Sequence, residues 1–125
     1  MPVFLAPEDL IEVAHFSIPK VQTWGDPPKD KQYKIWIQEI ANLPQGIGND
    51  FEYFVFSMNS IISASRRRKV GPDVENIPKL IVDAFTGILY PDDNLDYVRA
   101  VQVEAIFGPD EQEHTEVWIY GKRKQ

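Results

Sequence analysis

Acidic and basic side chains are concentrated between residues 66 and 96, and their spacing could support phosphate chemistry. Asp73 and Glu75 lie two residues apart just upstream of a predicted helix, where an extended backbone would project both carboxylates from the same side. Asp92 and Asp93 form a turn after that helix and could return to the same end of the sheet. Carboxylates brought this close repel each other unless a cation joins them, and Mg²⁺ prefers such oxygen ligands. These acids therefore predict a site for a hard divalent ion.

The predicted helix adds a polar stripe to this site. Asn76, Lys79 and Asp83 are spaced at i, i+3 and i+7, which places them on one face of the helix. Asn76 is suited to cap the helix, and Asp83 is expected to play a structural role. Lys79 would lie one turn above the carboxylates, where it and the helix N-terminus favour a phosphate. Because a bound metal could also activate water, the pattern indicates phosphodiester hydrolysis.

A run of cations precedes the acids and favours contact with a polyanion. The run consists of Arg66, Arg67, Arg68 and Lys69. Such side chains would hold a nucleic acid by its phosphates and not by reading its bases. The whole chain carries 13 Lys and Arg against 19 Asp and Glu, a net charge of −6. Binding to nucleic acid would therefore depend on local basic patches and not on the overall charge.

The combined motif resembles the signature of RusA-like Holliday junction resolvases. The similarity covers about residues 66–98 and rests on four segments, which are Pro72 to Lys79, Asp83 to Phe85, Gly87, and Asp92-Asp93. The resemblance implies a Mg²⁺-dependent endonuclease, in which Mn²⁺ could substitute, that acts as a homodimer on four-way DNA junctions. Proteins of this kind are often encoded by phages and prophages.

The resemblance also implies a role for each matching residue. Asp73, Glu75 and Asp93 match the metal-binding acids, Asp92 matches the acid beside the last ligand, and Lys79 matches the catalytic lysine. Glu75 stands where the family usually has aspartate, which adds a methylene to one ligand. Two other readings fit the same residues. One is a DNA-structure-binding module of the same fold without turnover, and the other is a protein-interaction domain whose acidic site binds a structural ion.

Composition excludes several other classes of protein. The absence of cysteine excludes disulfide scaffolds and thiolate metal sites. His15 and His114 lack a second His or Cys nearby, so a zinc site is not indicated. No glycine-rich phosphate loop or dinucleotide fingerprint is present, so no organic cofactor is expected. Because the sequence contains neither a secretory signal pattern nor an apolar run of about 18 residues, we expect a cytoplasmic protein without a membrane span.

The spacing of apolar residues predicts the helices and strands that carry these side chains. The 125 residues, 43% of them hydrophobic, predict one domain over residues 1–125, with an irregular arm at residues 1–10. Six elements are predicted, at residues 11–18 (strand), 31–43 (helix), 51–58 (strand), 77–86 (helix), 97–107 (strand) and 116–120 (strand). The order β-α-β-α-β-β predicts an α+β fold, a two-layer α/β domain whose mixed sheet carries two helices.

Apolar residues predict which surfaces are buried. Aromatic residues occupy both alternating faces of residues 51–58, which indicates a central strand. The second helix has a predicted buried stripe of Ile77, Leu80, Ile81, Ala84 and Phe85. The third strand has one predicted apolar face, made of Tyr97, Val101, Val103, Ala105 and Phe107.

Overall fold

The computed structural model describes residues 10–21, 30–66 and 77–125. Within these ranges the strands are β1 (Leu10–Ile18), β2 (Phe51–Ser63), β3 (Val98–Gly108) and β4 (His114–Arg123), and the helices are α1 (Asp30–Ala41) and α2 (Ile77–Ala84). Short 3-10 helices lie at Ile47–Asp50, Ala64–Arg66 and Asp110–Gln112. All but the last residue of the predicted N-terminal arm, 1–10, lies outside the described residues.

The strands form one mixed sheet in the order β1-β4-β2-β3. β4 is antiparallel to both of its neighbours, whereas β2 and β3 are parallel. Two parallel neighbours need a crossover connection, and α2 lies in the chain between β2 and β3. The predicted α+β fold and the order β-α-β-α-β-β are therefore confirmed.

β2 is the central strand, as predicted. It pairs with β4 on one side and β3 on the other, and aromatic residues are buried on both faces, with Phe54 and Phe56 in the main core and Tyr53 on the opposite face. The strand continues to Ser63, beyond the predicted end at Met58. Ser60 can occupy this buried stretch because its hydroxyl shares a hydrogen bond of 2.7 Å with the hydroxyl of Thr115.

The second helix packs as its sequence predicts. All five residues of its predicted apolar stripe are buried, so the 3.6-residue period identified the correct face. The predicted helix 77–86 is too long by two residues, since α2 ends at Ala84. The Gln38 side chain of α1 donates a hydrogen bond of 2.7 Å to the carbonyl of Ala84 and so satisfies one acceptor at this end.

Two other predicted boundaries differ from the structure. α1 ends at Ala41, before the predicted Leu43, because Asn42 adopts a positive φ of 48°, a conformation that asparagine tolerates after a helix. β4 is longer than predicted at both ends, since it pairs with β1 and β2 along most of its length. On β3, Val101 lies on the predicted face opposite Phe56 but is 42% exposed, because it lines a concavity described below.

One partly buried carboxylate joins three segments of the chain at one end of the sheet. Glu113, whose side chain is only 12% exposed, accepts hydrogen bonds from the backbone amides of Ser63 (2.9 Å) and Val21 (3.2 Å). It also accepts one from Nη1 of Arg66 (3.0 Å), which in turn donates to the carbonyl of Val21 (2.7 Å). We call Val21, Ser63, Arg66 and Glu113 the Glu113 cluster. Burial alone would raise the pKa of Glu113, but these hydrogen bonds and the Arg66 charge lower it overall.

Glu113→Gln is expected to reduce the free energy of unfolding at neutral pH by about 1–3 kcal/mol, because the amide cannot accept all three donors. A carboxylate whose pKa is lowered on folding stabilises the protein above its unfolded pKa, and this stabilisation is lost as the pH falls through the folded pKa. The difference in free energy of unfolding between the variant and the wild type should therefore become smaller at pH values below 4.5, the ordinary pKa of glutamate. Urea denaturation across pH measures it, with the more exposed Glu116→Gln as control. If Glu113→Gln lost the same stability at every pH, the ionised carboxylate of Glu113 would not be the stabilising group.

Candidate active site

A concavity of about 470 Å³ lies where α2 meets the loop before β3. Its polar lining consists of Lys79, Asp83 and Asp93, and its apolar lining of Pro78, Val82 and Val101. Lys79 and Asp93 come from different elements and were both predicted to belong to one site. The structure thus brings a cation and an acid of the predicted site to the same concavity.

The loop that carries Asp93 is held by short polar side chains. The carboxylate of Asp92 accepts a hydrogen bond of 2.8 Å from the backbone amide of Asp93. Asn94 acts in the same way on Asp96, with its side-chain oxygen 3.0 Å from the backbone amide. Asp and Asn favour turns because their side chains bond nearby backbone groups in this manner. Asp92 therefore helps to set the backbone at Asp93, whereas its predicted contact with metal stays a prediction.

Asp83 connects the site to the first helix. Its carboxylate lies 2.5 Å from Nζ of Lys34 on α1, and both side chains are partly buried. Lys34 was not singled out by the sequence, since it is a polar residue on the outer face of an amphipathic helix, 49 residues from its partner. No local signal in the sequence could have paired them. The contact is an ion pair between α1 and α2, and the structural role of Asp83 stays a prediction.

The acids of the concavity influence one another. Asp93 is exposed, yet its pKa is raised, first by the limited desolvation of its carboxyl, then by the negative charge of Asp83 and by its neighbour Asp92. The pKa of Tyr90 is also raised, mainly because its ring is buried, with further contributions from Asp93 and Asp83. Its hydroxyl donates a hydrogen bond of 2.5 Å to the carbonyl of Val82. This like-charge crowding is the condition that a bound cation would relieve.

Asp83→Asn is expected to lower the pKa of the Asp93 carboxyl, because it removes a negative charge that favours the protonated form. Carbon-detected NMR titration of the metal-free protein measures this pKa directly. Asp96→Asn removes a charge from the same loop and serves as control, since Asp96 does not contribute to the raised pKa of Asp93. An unchanged Asp93 titration in Asp83→Asn would show that the two carboxylates do not interact.

A comparison with protein families gives a match over most of the chain. The family model described as endodeoxyribonuclease RusA matches residues 15–120 of the 125-residue chain. The chain belongs to the RusA endodeoxyribonuclease family. A search of curated proteins returned no match. The match includes the concavity and all four strands except the first residues of β1 and the last of β4.

Family membership confirms the resemblance noted in the sequence and identifies the chain as a nuclease. The RusA family acts on branched DNA junctions, which supports DNA as the partner of this chain. Of the helices in the described ranges, none is long and apolar enough to cross a membrane.

Several predicted site residues of this RusA-family chain lie outside the described residues. They are Arg67, Arg68, Lys69, Asp73, Glu75 and Asn76. Among the described residues, no three His, Cys, Asp or Glu side chains converge on one point. Asp93 supplies a hard oxygen donor of the kind that Mg²⁺ prefers, but a complete ligand set needs further donors. The assignment of Asp73 and Glu75 as those donors stays a prediction.

Arg66 is described, and its guanidinium contacts the protein itself. Nη1 bridges the carboxylate of Glu113 and the carbonyl of Val21, and the side chain is 28% exposed. These contacts do not test whether Arg66 also touches DNA. They show that Arg66 joins two segments of the protein, which its place in a run of cations did not predict.

Proposed function

We propose that this chain is a Mg²⁺-dependent endonuclease that resolves four-way DNA junctions by phosphodiester hydrolysis. The observation that carries the proposal is the meeting of Lys79 and Asp93 in one concavity. Membership of the RusA family supports the reaction class and the substrate class. Under this proposal the protein works on DNA in the cytoplasm, and Mn²⁺ could replace Mg²⁺.

The proposed metal ligands are Asp73, Glu75 and Asp93, assisted by Asp92. A bound Mg²⁺ would polarise a phosphoryl oxygen and lower the pKa of a coordinated water. Asp93 is presented by a loop that its neighbours hold in place, so its carboxylate needs little reorganisation to bind a cation. Asp83 stays paired with Lys34 and contributes negative potential without leaving α2.

Lys79 is proposed to stabilise the negative charge that develops on the phosphate as water adds and the bond to one sugar oxygen breaks. It projects from the first turns of α2 and lines the same concavity as Asp93. The apolar wall of Pro78, Val82 and Val101 offers a surface for the sugar beside that phosphate. The site therefore combines a charged part for the phosphate with an apolar part for the nucleoside.

The cationic run Arg66 to Lys69 is proposed to hold the DNA backbone next to the site. If all four cations engaged phosphates, the logarithm of the binding constant would fall with the logarithm of salt with a slope of about −3 to −4. We further propose a homodimer, since resolving a four-way junction requires cuts in two opposed strands. Two copies of one site related by a twofold axis would supply both cuts.

The experiment that tests the proposal is cleavage of a synthetic four-way junction across a Mg²⁺ titration, with linear duplex of the same sequence as control. We expect paired nicks in opposed strands of the junction, a requirement for Mg²⁺, and little cutting of the duplex. Junction binding without nicking would favour a non-catalytic DNA-binding module. Absence of DNA binding even at low salt would favour a metal-stabilised protein-interaction domain.

A further inference from the structure

A second concavity, of about 530 Å³, lies next to the loop that carries Asp93. Residues 87–91 form part of its lining, and the rest comes mainly from the 3-10 helix Ile47–Asp50 and the start of β2. These two parts approach closely at Gly48, where a Cβ would overlap the backbone of Leu89, so glycine permits the contact. We call this space the second concavity and the one lined by Lys79 and Asp93 the first.

Tyr90 and Pro91 place the two concavities side by side. Tyr90 lines the second concavity, and its hydroxyl donates its hydrogen bond to the carbonyl of Val82, which lines the first. Pro91 lines the second and Asp93 the first. Cα atoms two residues apart are separated by at most about 7 Å. Because phosphates of one DNA strand are spaced about 3.4 Å along the helix axis, a strand bound at the first concavity would reach the second within a few nucleotides.

Two cations at the end of β4 lie at the second concavity. Lys124 lines it, and the backbone amide of this residue donates a hydrogen bond of 3.0 Å to the carbonyl of Asp50. The guanidinium carbon of Arg123 lies 5.8 Å from the ring centre of Phe51, which also lines the second concavity. These contacts attach residues 123 and 124 to the start of β2, so both charges come from a defined surface.

Neither charge is neutralised within the part of the chain that the structure describes. Arg123 and Lys124 are exposed and form no ion pair with a described residue. A guanidinium held over an aromatic ring keeps its charge and its N–H donors for another partner. Glu52 is the only acid among the described residues that line the second concavity, and it does not pair with Lys124. Two unpaired cations in a chain of net charge −6 indicate a site for an anion.

The apolar lining of the second concavity suits the remainder of a nucleotide. Ile88, Pro91 and Tyr97 line it, and each of them is at least partly exposed. Aromatic and apolar side chains beside a basic groove pack against the sugars and bases of single-stranded or unstacked nucleotides. The second concavity therefore offers cations for a phosphate and an apolar surface for the sugar or base attached to it.

We propose that the second concavity binds a nucleotide of the DNA strand that is cut, close to the phosphate held in the first concavity, with Lys124 and Arg123 contacting the phosphate of that nucleotide. This inference rests on the proposed function and adds to it two substrate contacts beyond the motif at residues 66–98. The second concavity contributes to the affinity for DNA, whereas the proposed chemistry belongs to the first.

The test measures the affinity for a synthetic four-way junction without divalent metal at several salt concentrations. We expect Lys124→Gln to weaken binding about 3- to 10-fold and to make the salt slope shallower by about 1, because one phosphate contact is lost. Arg123→Gln should act in the same direction. Glu52→Gln should strengthen binding about 2- to 5-fold, because it removes a negative charge from the same concavity.

A lysine on another element provides the matched control. Lys31→Gln removes an exposed cation of α1 that lines neither concavity, so its junction affinity should stay near the wild-type value. Single-turnover cleavage adds a second readout. The activity that Lys124→Gln loses at low enzyme concentration should be recovered at high enzyme concentration, as expected when a binding contact is removed and the catalytic groups remain. All of the changed side chains are exposed, and circular dichroism checks that the variants fold.

Four results would overturn the proposal. Wild-type affinity and salt slope in both Lys124→Gln and Glu52→Gln would show that no phosphate lies at the second concavity, while junction cleavage by the wild type would leave the proposed function intact. A change in the same direction in these two variants would show that charge is not the cause. Equal weakening in Lys31→Gln would show a general effect of net charge. A wild-type chain that binds no junction would overturn the proposed function together with this site.

Discussion

Asp93→Asn is expected to lower the rate of four-way junction cleavage by about 100-fold or more. Asparagine keeps the shape and one oxygen of the side chain but loses the negative charge that would hold a divalent cation. Metal-ion catalysis contributes several kcal/mol of charge stabilisation, and about 1.4 kcal/mol corresponds to a factor of ten in rate. The measurement is single-turnover cleavage at saturating enzyme, repeated across a Mg²⁺ titration.

The fold should survive this substitution. Asp93 is exposed on a loop, and the bonds that hold the loop come from the Asp92 and Asn94 side chains to backbone amides. Asp96→Asn is the matched control, because it removes one negative charge from the same loop without changing the lining of the concavity. An Asp93→Asn protein that cuts junctions as fast as Asp96→Asn would show that Asp93 is not a ligand.

Local periodicity was sufficient to predict most of the architecture. The apolar residues Ile77, Leu80 and Ile81 recur at helical spacing and are buried. Because that face of α2 packs in the core, Lys79 and Asp83 must lie on the other side of the helix. The two-faced aromatic pattern of β2 likewise identified the strand that has neighbours on both sides. In these cases one residue pattern determines both the element and its orientation, so no knowledge of distant residues is needed.

The chemistry of the concavity was predictable in part for a different reason. Lys79 and Asp93 are a short distance apart in the sequence and follow each other around one helix and one turn, so local geometry brings them together. Lys34 pairs with Asp83 across 49 residues of the chain, and Glu113 pairs with Arg66 across 47. The packing of the elements determines which residues pair. A single charged residue in the sequence does not indicate its distant partner.

The polar end of β2 shows how a local pattern can mislead. Asn59, Ser60 and Ser63 interrupt the apolar alternation and favour a loop after Met58. The strand continues because each buried polar group finds a partner on a distant segment, as Ser60 does with Thr115 and the Ser63 amide with Glu113. Such pairs become visible only when strand order is known.

Lys79→Gln is expected to lower the maximal rate of junction cleavage by about 100- to 1,000-fold, the loss typical when one preorganised group that stabilises transition-state charge is removed. Lys79 is exposed on α2 and lines the concavity beside Asp93, so its loss should leave the core of the helix intact. The measurement is again single-turnover cleavage, with Lys31→Gln on α1 as a control that removes an exposed lysine away from the concavity.

The Mg²⁺ dependence separates the two site residues. A lysine that stabilises developing charge on the phosphate is not a metal ligand, so Lys79→Gln should reduce the plateau rate while the Mg²⁺ concentration at half-maximal rate stays near the wild-type value. Asp93→Asn should shift that concentration, because it removes a donor for the cation. If high Mg²⁺ restored full activity to Lys79→Gln, the ammonium would be supporting the arrangement of the acids, and the proposed direct action of Lys79 on the phosphate would be wrong.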